Sequence, residues 1–325
     1  MKQKQTDTKK QKSVSKSLKT KKRIFIFNID PQNDEITSFF LSKKNRDLLV
    51  KHQNDVVYVF LTKFSLNIVL KLFEKSLKLK TGYIISSNGS CLYSIANKSI
   101  LFSLPLTYTA KSFLIHEAML KSLLIVSSSK TKSYCYSEDI KKFVRLKSAF
   151  ITDILLIQNY LTYQHFIYEN EFLNFVFYDT DINILIEKYK KIKLLEDDLD
   201  FYISPIENNT FSVSSIESLP INAYYKVLED LNYQIDNTKT YYFVLNSFDK
   251  TIWNAFSKNH YLNIQYLIDN KNLFDAQFTT QNIFLPKNII DIFSNLISRS
   301  ASFQTHLIVG DEKKLINLIN KKTKR

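Results

Sequence analysis

Short runs of apolar residues, separated by stretches with helical spacing, are the feature that most constrains the fold of this chain. Residues 24–27 (Ile-Phe-Ile-Phe) are all apolar, and residues 56–61 form a second such run. Strands that are buried on both faces of a parallel sheet carry uninterrupted apolar sequences of this kind. A third strand is predicted around residues 83–86, with helices at 42–52 and 66–77 between the strands. The alternation predicts an α/β fold with a doubly wound, mainly parallel sheet.

The middle of the chain has a different rhythm. Its pattern predicts a hairpin at 91–106, a long amphipathic helix at 108–126 and a strand at 173–177 followed by a helix at 181–193. Strands and helices no longer alternate singly in this region. The mixture predicts an α+β cap domain inserted into the first domain at residues 90–205.

The pattern of the first domain returns after Pro220, which stands where a helix can begin. Before Pro220, residues 211–215 alternate as a half-buried strand. After it, a helix at 221–231 is followed by apolar runs at 241–245 and 264–268 that predict buried strands. The predicted organisation is a disordered basic arm (1–23), a core in two segments (24–89 and 206–297), the inserted cap (90–205) and a C-terminal extension with a basic end (298–325).

The positive charge of the chain is concentrated at its two ends. The formal net charge is +14, yet residues 1–23 hold ten bases and one acid, and residues 321–325 hold four bases. The remaining 297 residues carry 31 bases and 30 acids. This distribution argues against a folded nucleic-acid platform, which concentrates bases on one folded surface. The arm at 1–23 is instead predicted either to bind nucleic acid or an anionic surface, or to act as a solubilising tail.

Scarce residue types exclude several classes of protein. Two cysteines, Cys91 and Cys135, cannot form a disulfide scaffold or a multi-cysteine zinc module, and the five histidines show no ligand spacing. Three glycines are too few for a glycine-rich phosphate loop. No apolar run approaches the roughly 20 residues of a membrane helix, and the charged start lacks the apolar segment of a signal peptide. A cytoplasmic protein with no transmembrane segment is expected.

Polar residues follow three of the predicted strands. The first strand leads into Asn28-Ile29-Asp30-Pro31, the second into Thr62-Lys63, and the third into Asn88-Gly89. A run of similar kind, Val244-Leu245-Asn246 with Asp249 three residues later, follows near residue 245. In order and separation these segments resemble the motifs of the haloacid dehalogenase superfamily, in particular the Cof-type phosphatases with an inserted cap. The resemblance spans about residues 24–297.

The resemblance implies a role for each of these positions. In the family an Asp at the position of Asn28 attacks phosphorus, and the Asp two residues later, here Asp30, acts as the general acid and base. Thr62 and Asn88 occupy positions implied to bind phosphate. Asn246 stands where the principal Mg²⁺-binding Asp is expected, and Asp249 is a nearby carboxylate that could bind metal.

The departures from the family pattern outweigh the matches. An amide is neither an effective nucleophile nor an anionic Mg²⁺ ligand, so Asn28 and Asn246 both indicate lost chemistry. Ile221 or Asn222 stands where the family has a phosphate-binding Lys, and Lys226 lies one helical turn away.

These departures predict a protein whose phosphatase site has decayed and which acts as a noncatalytic binding or scaffold protein. No cofactor is expected, and Mg²⁺ only if activity remains. Two alternatives are a residual Mg²⁺-dependent phosphatase of small phosphorylated metabolites, and tethering to nucleic acid or an anionic surface through the basic ends. Asp30, Thr62 and the Asn88-Gly89 pair also have purely structural interpretations as turn or strand-end residues.

Overall fold

A computed structural model of the chain describes residues 22–29, 43–119, 124–149, 154–206, 209–233 and 238–244. Residues 1–21 of the predicted arm, the strand predicted at 264–268 and the C-terminal extension lie outside the described residues. The candidate site residues Asp30, Asn246 and Asp249 lie outside them as well.

The described residues form twelve strands. In chain order these are β1 Lys22–Asn28, β2 Val57–Leu61, β3 Tyr83–Ser86, β4 Cys91–Ser94, β5 Ser99–Ser103, β6 Leu124–Ser128, β7 Ser133–Tyr136, β8 Ile154–Ile157, β9 Asn174–Tyr178, β10 Phe201–Ile203, β11 Thr210–Ser215 and β12 Thr238–Val244. Lys22 and Arg23, which the sequence assigned to the arm, are the first two residues of β1.

Seven α-helices lie among the described residues. They are α1 Lys43–Lys51, α2 Leu66–Ser76, α3 Tyr108–Met119, α4 Ile140–Ala149, α5 Tyr160–Glu169, α6 Ile182–Lys193 and α7 Pro220–Asp230. Short 3₁₀ turns follow β3 at Ser87–Gly89 and β11 at Ile216–Ser218. None of the described helices has the length and apolar character needed to cross a membrane.

The first sheet has the strand order β12-β1-β2-β3-β4-β5. Strands β12, β1, β2 and β3 are parallel, and the hairpin β4-β5 continues the sheet in antiparallel pairing. The strand of Phe25, β1, lies between β2, which contains Val59, and β12, which contains Val244.

Helices cover both faces of the first sheet because successive residues of β1 are apolar. Phe25 and Phe27 point to one face, where they share an apolar cluster with Val69 and Phe73 of α2. Ile24 and Ile26 point to the other face, where they form a cluster with four residues of α7: Ala223, Tyr224, Val227 and Leu228. Helices on both faces of a mainly parallel sheet make the doubly wound α/β arrangement that the apolar runs predicted.

The second sheet has the strand order β10-β11-β9-β6-β7-β8, and only β7 and β8 pair in parallel. One face of this sheet packs on α3, α5 and α6 through a large apolar cluster that includes Phe175, Phe177 and Phe211. The opposite face carries Val126, Cys135 and Val176, which form a cluster with residues that follow β2 of the first sheet. The second sheet is therefore covered on both sides.

The chain passes from one sheet to the other at residues that differ from the predicted cap boundaries of 90 and 205. The hairpin β4-β5 belongs to the first sheet, and β11 belongs to the second sheet. Hydrophobic alternation marks a strand but carries no information about the sheet that the strand joins.

The prediction of a helix at 108–126 is wrong at the C-terminal end of that helix, since α3 ends at Met119 and β6 begins at Leu124. A short apolar run such as Leu124-Ile125-Val126 is equally compatible with a strand and with a buried helix.

A buried ion pair joins α3 to α6 on the helical side of the second sheet. The Lys188 Nζ donates to Glu117 Oε2 at 2.9 Å, with 2% and 3% of the two side chains exposed, and Lys191 Nζ donates to Glu117 Oε1 at 2.7 Å. Burial by itself would raise the pKa of Glu117, but the hydrogen bonds from Lys191 and Lys188 outweigh it and lower that pKa below its ordinary value. A carboxylate whose pKa is lowered by folding stabilises the fold fully at pH values above its unfolded-state pKa. This contribution is lost as the pH falls through the folded-state pKa.

We expect Glu117→Gln to lower the free energy of unfolding at pH 7 by about 3–5 kcal/mol, because the charge of Lys188 would remain buried without its partner. Denaturant unfolding at several pH values measures this loss, which should shrink as the pH is lowered through the acid range. Glu229→Gln is the matched control, since the Glu229 side chain is 66% exposed in its pair with Lys226, and it should cost less than about 1 kcal/mol. Equal losses in the two variants would contradict the prediction.

Candidate functional site

The parallel strands of the first sheet bring their carboxyl ends to one edge. In the β1–β2 pair Asn28 is in register with Leu61, and in the β1–β12 pair it is in register with Val244. The Ile29 amide extends this edge by donating to the carbonyl of Leu61 at 2.7 Å. The residues that follow β1, β2 and β3 therefore converge, as they do at the ligand sites of open α/β sheets.

Thr62 follows β2 directly and is 4% exposed. Its amide donates to the carbonyl of Ile85 at 2.9 Å, and its hydroxyl Oγ1 accepts a hydrogen bond from the amide of Phe64 at 3.2 Å. A threonine hydroxyl that accepts one hydrogen bond still carries a proton to donate. Thr62 is thus held by its backbone neighbours while its hydroxyl proton remains a donor for a ligand.

The turn after β3 has an unusual backbone. Ser87, Asn88 and Gly89 have φ angles of 51°, 57° and 97°, so three successive residues lie in the left-handed region. Asn enters this region readily, whereas Ser does so at a cost of about 1–3 kcal/mol. The amide of Ser87 donates to the carbonyl of Phe64 at 2.7 Å, and the amide of Asn88 donates to the carbonyl of Thr62 at 3.1 Å. These two bonds fix the strained turn beside the turn that carries Thr62.

Two side chains of this turn are buried without a hydrogen-bond partner among the described residues. They are the Ser87 hydroxyl and the amide nitrogen Nδ2 of Asn88, in residues that are 0% and 4% exposed. Buried polar groups in native proteins are nearly always paired, so such groups indicate a place where a ligand or water is bound. Backbone strain and unpaired donors occur together here, as they often do at functional sites.

Gly89 connects this turn to the beginning of α7. A Cβ atom at Gly89 would lie 1.7 Å from the Ser218 carbonyl oxygen and 2.8 Å from the Pro220 nitrogen. Only glycine permits so close an approach. The contact brings the start of α7 to the same edge of the first sheet as Thr62 and Asn88.

No protein-family model and no curated protein sequence matches the chain. Solved structures do match. A Streptococcus mutans protein aligns with a TM-score of 0.61 at 12% identity, over 86% of this chain and 100% of that one. A haloacid dehalogenase-like hydrolase from B. subtilis aligns with a TM-score of 0.57 at 14% identity, over 75% of this chain and 94% of that one. A subclass IIB sugar phosphatase of the superfamily aligns with a TM-score of 0.55 at 9% identity, over 75% and 93%.

The chain has the haloacid dehalogenase-like fold. The resemblance drawn from the strand-end motifs is thereby confirmed for the fold. At identities of 9–15% the structural likeness shows the fold alone, and the chemistry of this HAD-like chain depends on its own residues.

Within the HAD-like fold the structure brings three of the predicted site residues to one edge. Asn28 is the last residue of β1, and Thr62 and Asn88 are joined through their backbones at 3.1 Å. Lys226 does not replace the missing Lys of the family, because it is exposed on α7 and forms an ion pair with Glu229 at 2.9 Å. Among the described residues no three His, Cys, Asp or Glu side chains are grouped so that they could hold a metal ion.

Two residues of the site, Ser87 and Asn174, were not predicted from the sequence. Ser87 could not be predicted, because nothing in the sequence Ser86-Ser87-Asn88-Gly89 indicates that the φ angle of Ser87 is positive. Asn174, the first residue of β9, donates from Nδ2 to the carbonyl of Lys63 at 2.6 Å. The available signal was that Asn174 is polar and stands beside the apolar run 175–177, although its partner lies 111 residues away in the chain.

Proposed function

We propose that this chain is a noncatalytic binding or scaffold protein in which the phosphate end of a HAD-like cleft survives. The observation that carries the proposal is the group of three buried donors at the carboxyl edge of the first sheet: the hydroxyls of Thr62 and Ser87 and the amide of Asn88. In this proposal the second sheet forms the cap over that edge.

The residue types at the motif positions support binding without catalysis. An aspartyl-phosphate intermediate requires a carboxylate nucleophile, and Asn28 supplies an amide, whose nitrogen lone pair is delocalised into its carbonyl. The residues also fit Mg²⁺ poorly, because hard divalent cations favour carboxylates and two of the expected carboxylates are the amides Asn28 and Asn246. The chemistry that remains is hydrogen-bond donation, which suits an anion.

A small phosphorylated metabolite is the ligand class that we propose. Neutral hydroxyl and amide donors form their strongest hydrogen bonds with charged acceptors such as phosphate oxygens. One structure that shares the fold is a sugar phosphatase, which makes a hexose phosphate the first organic ligand to test.

A residual phosphatase is the second candidate. The fold is shared with proteins described as hydrolases and phosphatases, and Asp30 retains the residue type of the general acid and base. If the chain is active, the reaction would be the hydrolysis of a phosphate monoester, with Asp30 giving a proton to the leaving group.

We expect Asn88→Asp to weaken the binding of inorganic phosphate and of hexose 6-phosphate at least about tenfold, because a carboxylate would replace the donating amide. The substitution keeps the size of the side chain and its tolerance of a left-handed backbone. Thr62→Val, which removes the hydroxyl, should weaken binding by about the same factor. Titration calorimetry with both ligands measures these changes.

Asn209→Asp is the matched control for this experiment. Asn209 has a φ angle of 56° and is exposed in the turn before β11, so its substitution should change phosphate affinity by less than about twofold. If the unsubstituted protein binds neither ligand, or if the Asn88 and Asn209 variants bind equally well, the proposed function is wrong.

A further inference from the structure

The turn that carries Thr62 is bonded to its surroundings at three successive carbonyls. The Thr62 carbonyl accepts from the amide of Asn88 at 3.1 Å, and the Phe64 carbonyl accepts from the amide of Ser87 at 2.7 Å. Between them, the Lys63 carbonyl accepts from Asn174 Nδ2 of the second sheet at 2.6 Å. The proposed phosphate-binding turn is thus held by the end of β3 on one side and by β9 on the other.

The residues that follow continue the contact with the second sheet. Ser65 Oγ lies 2.5 Å from Ser133 Oγ at the start of β7, and the Ser133 hydroxyl donates to Asn67 Oδ1 at 3.0 Å. Ser65 and Ser133 are both 0% exposed. The Ser65 hydroxyl also donates to Asn67 Oδ1, at 2.5 Å, and would keep that bond if the second sheet moved away. The Ser133 hydroxyl would lose both Ser65 and Asn67, which is costly for a group buried at the interface.

An apolar contact closes the same interface. Phe64 and Ile68, which are 0% and 1% exposed, form one cluster with Val126, Cys135 and Val176 on the face of the second sheet. A gap of even about an ångström between the two surfaces would forfeit up to about half of the dispersion energy of these contacts. Polar and apolar contacts therefore act together over residues 62–68.

We propose that residues 62–68 form a latch that holds the second sheet permanently against the first sheet. Enzymes with mobile caps open and close in each catalytic cycle, whereas a latched cap keeps one arrangement. The latch follows from the contacts alone. Its consequence, that phosphate enters and leaves the cleft without movement of the second sheet, rests on the proposed function.

A disulfide between positions 65 and 133 tests the consequence. The two Oγ atoms lie 2.5 Å apart, close to the separation of about 2.05 Å between bonded sulfurs, so we expect the two thiols of S65C/S133C to be within reach of each other for oxidation to a disulfide. The native thiols should not interfere, because burial raises the pKa of Cys91 to about 11 and raises the pKa of Cys135 further. In stopped-flow binding of inorganic phosphate, the oxidised and reduced forms should associate at rates within about twofold of each other.

A fall in the association rate of tenfold or more on oxidation, with recovery on reduction, would show that the second sheet must open and would overturn the proposal. The single variants S65C and S133C, treated with the same oxidant, control for the loss of each hydroxyl. If unsubstituted protein binds no phosphate, the proposed function fails while the latch itself is still decided by hydrogen exchange.

Hydrogen exchange of the ligand-free, unsubstituted protein tests the latch directly. The amides of Ser87 and Leu173 lie beside the interface, one on the side of each sheet, and donate within their own side to the carbonyls of Phe64 and Ser128 at 2.7 and 2.8 Å. Ser87 and Leu173 are 0% and 1% exposed, so an opening of the interface would expose both amides to water. If the latch is permanent, they should exchange as slowly as the amides in the centre of β1 and β2, which open only on global unfolding. Exchange at least about a hundredfold faster than in those strands would show frequent opening of the interface and would overturn the latch.

Discussion

Purified protein should hydrolyse phosphate monoesters in the presence of Mg²⁺ no faster than its Asp30→Ala variant. The reason is the amide at position 28, since removal of a catalytic nucleophile lowers the rate on the order of a millionfold, or about 8 kcal/mol of transition-state stabilisation. Release of inorganic phosphate from a generic monoester and from sugar phosphates, with and without Mg²⁺, measures the rate of each protein.

Restoring the two carboxylates provides the complementary measurement. Asn28→Asp combined with Asn246→Asp returns the residue types of a HAD phosphatase to the nucleophile and metal positions, and a gain in turnover would show that the geometry of the cleft persists. Turnover by the unsubstituted protein that Asp30→Ala abolishes would reject the noncatalytic proposal in favour of the residual phosphatase.

Gly89→Ala should destabilise the protein by about 5 kcal/mol or more, a cost that few single substitutions reach. The φ angle of 97° is strained for alanine, and the new Cβ would lie 1.7 Å from the Ser218 carbonyl oxygen. Backbone atoms form the obstacle, so relief requires the start of α7 to move away from the turn after β3. Denaturant unfolding measures the loss, and failure to accumulate folded protein would be its extreme form.

Gly82→Ala is the comparison for Gly89→Ala. Gly82 also has a positive φ angle, of 126°, but its Cβ would meet the Tyr58 carbonyl oxygen at 2.9 Å. The expected cost is about 1–3 kcal/mol, mostly from backbone strain. A loss for Gly89→Ala that is no larger than the loss for Gly82→Ala would show that the turn and α7 are not in close contact.

The parallel part of the first sheet could be predicted because its signal is local. Ile24, Phe25, Ile26 and Phe27 are consecutive apolar residues, and a strand needs such a run only when both of its faces are covered. The helices α2 and α7 could be predicted as well, because their apolar residues recur at helical spacing. Once these strands were known to be parallel, the convergence of Asn28, Thr62 and Asn88 at one edge followed from geometry.

The remaining features depended on contacts between distant residues, which leave little trace in local sequence. The pattern of β4 and β5 predicted a hairpin but not the sheet that it extends, and the run 124–126 suited a helix and a strand equally. The positive φ angle of Ser87 is imposed by its hydrogen bond to Phe64 and by the approach of α7 at Gly89.

The amino-acid sequence by itself determined the parallel strands of the first sheet, the helices α2 and α7, and the amides that replace two carboxylates, because residue type and periodicity express these directly. Only the tertiary structure decided that Asn174 bonds the turn of Thr62 and that Ser65 meets Ser133. A hydrogen bond between residues 111 positions apart depends on how two sheets pack, and packing is the sum of many contacts that no single segment encodes.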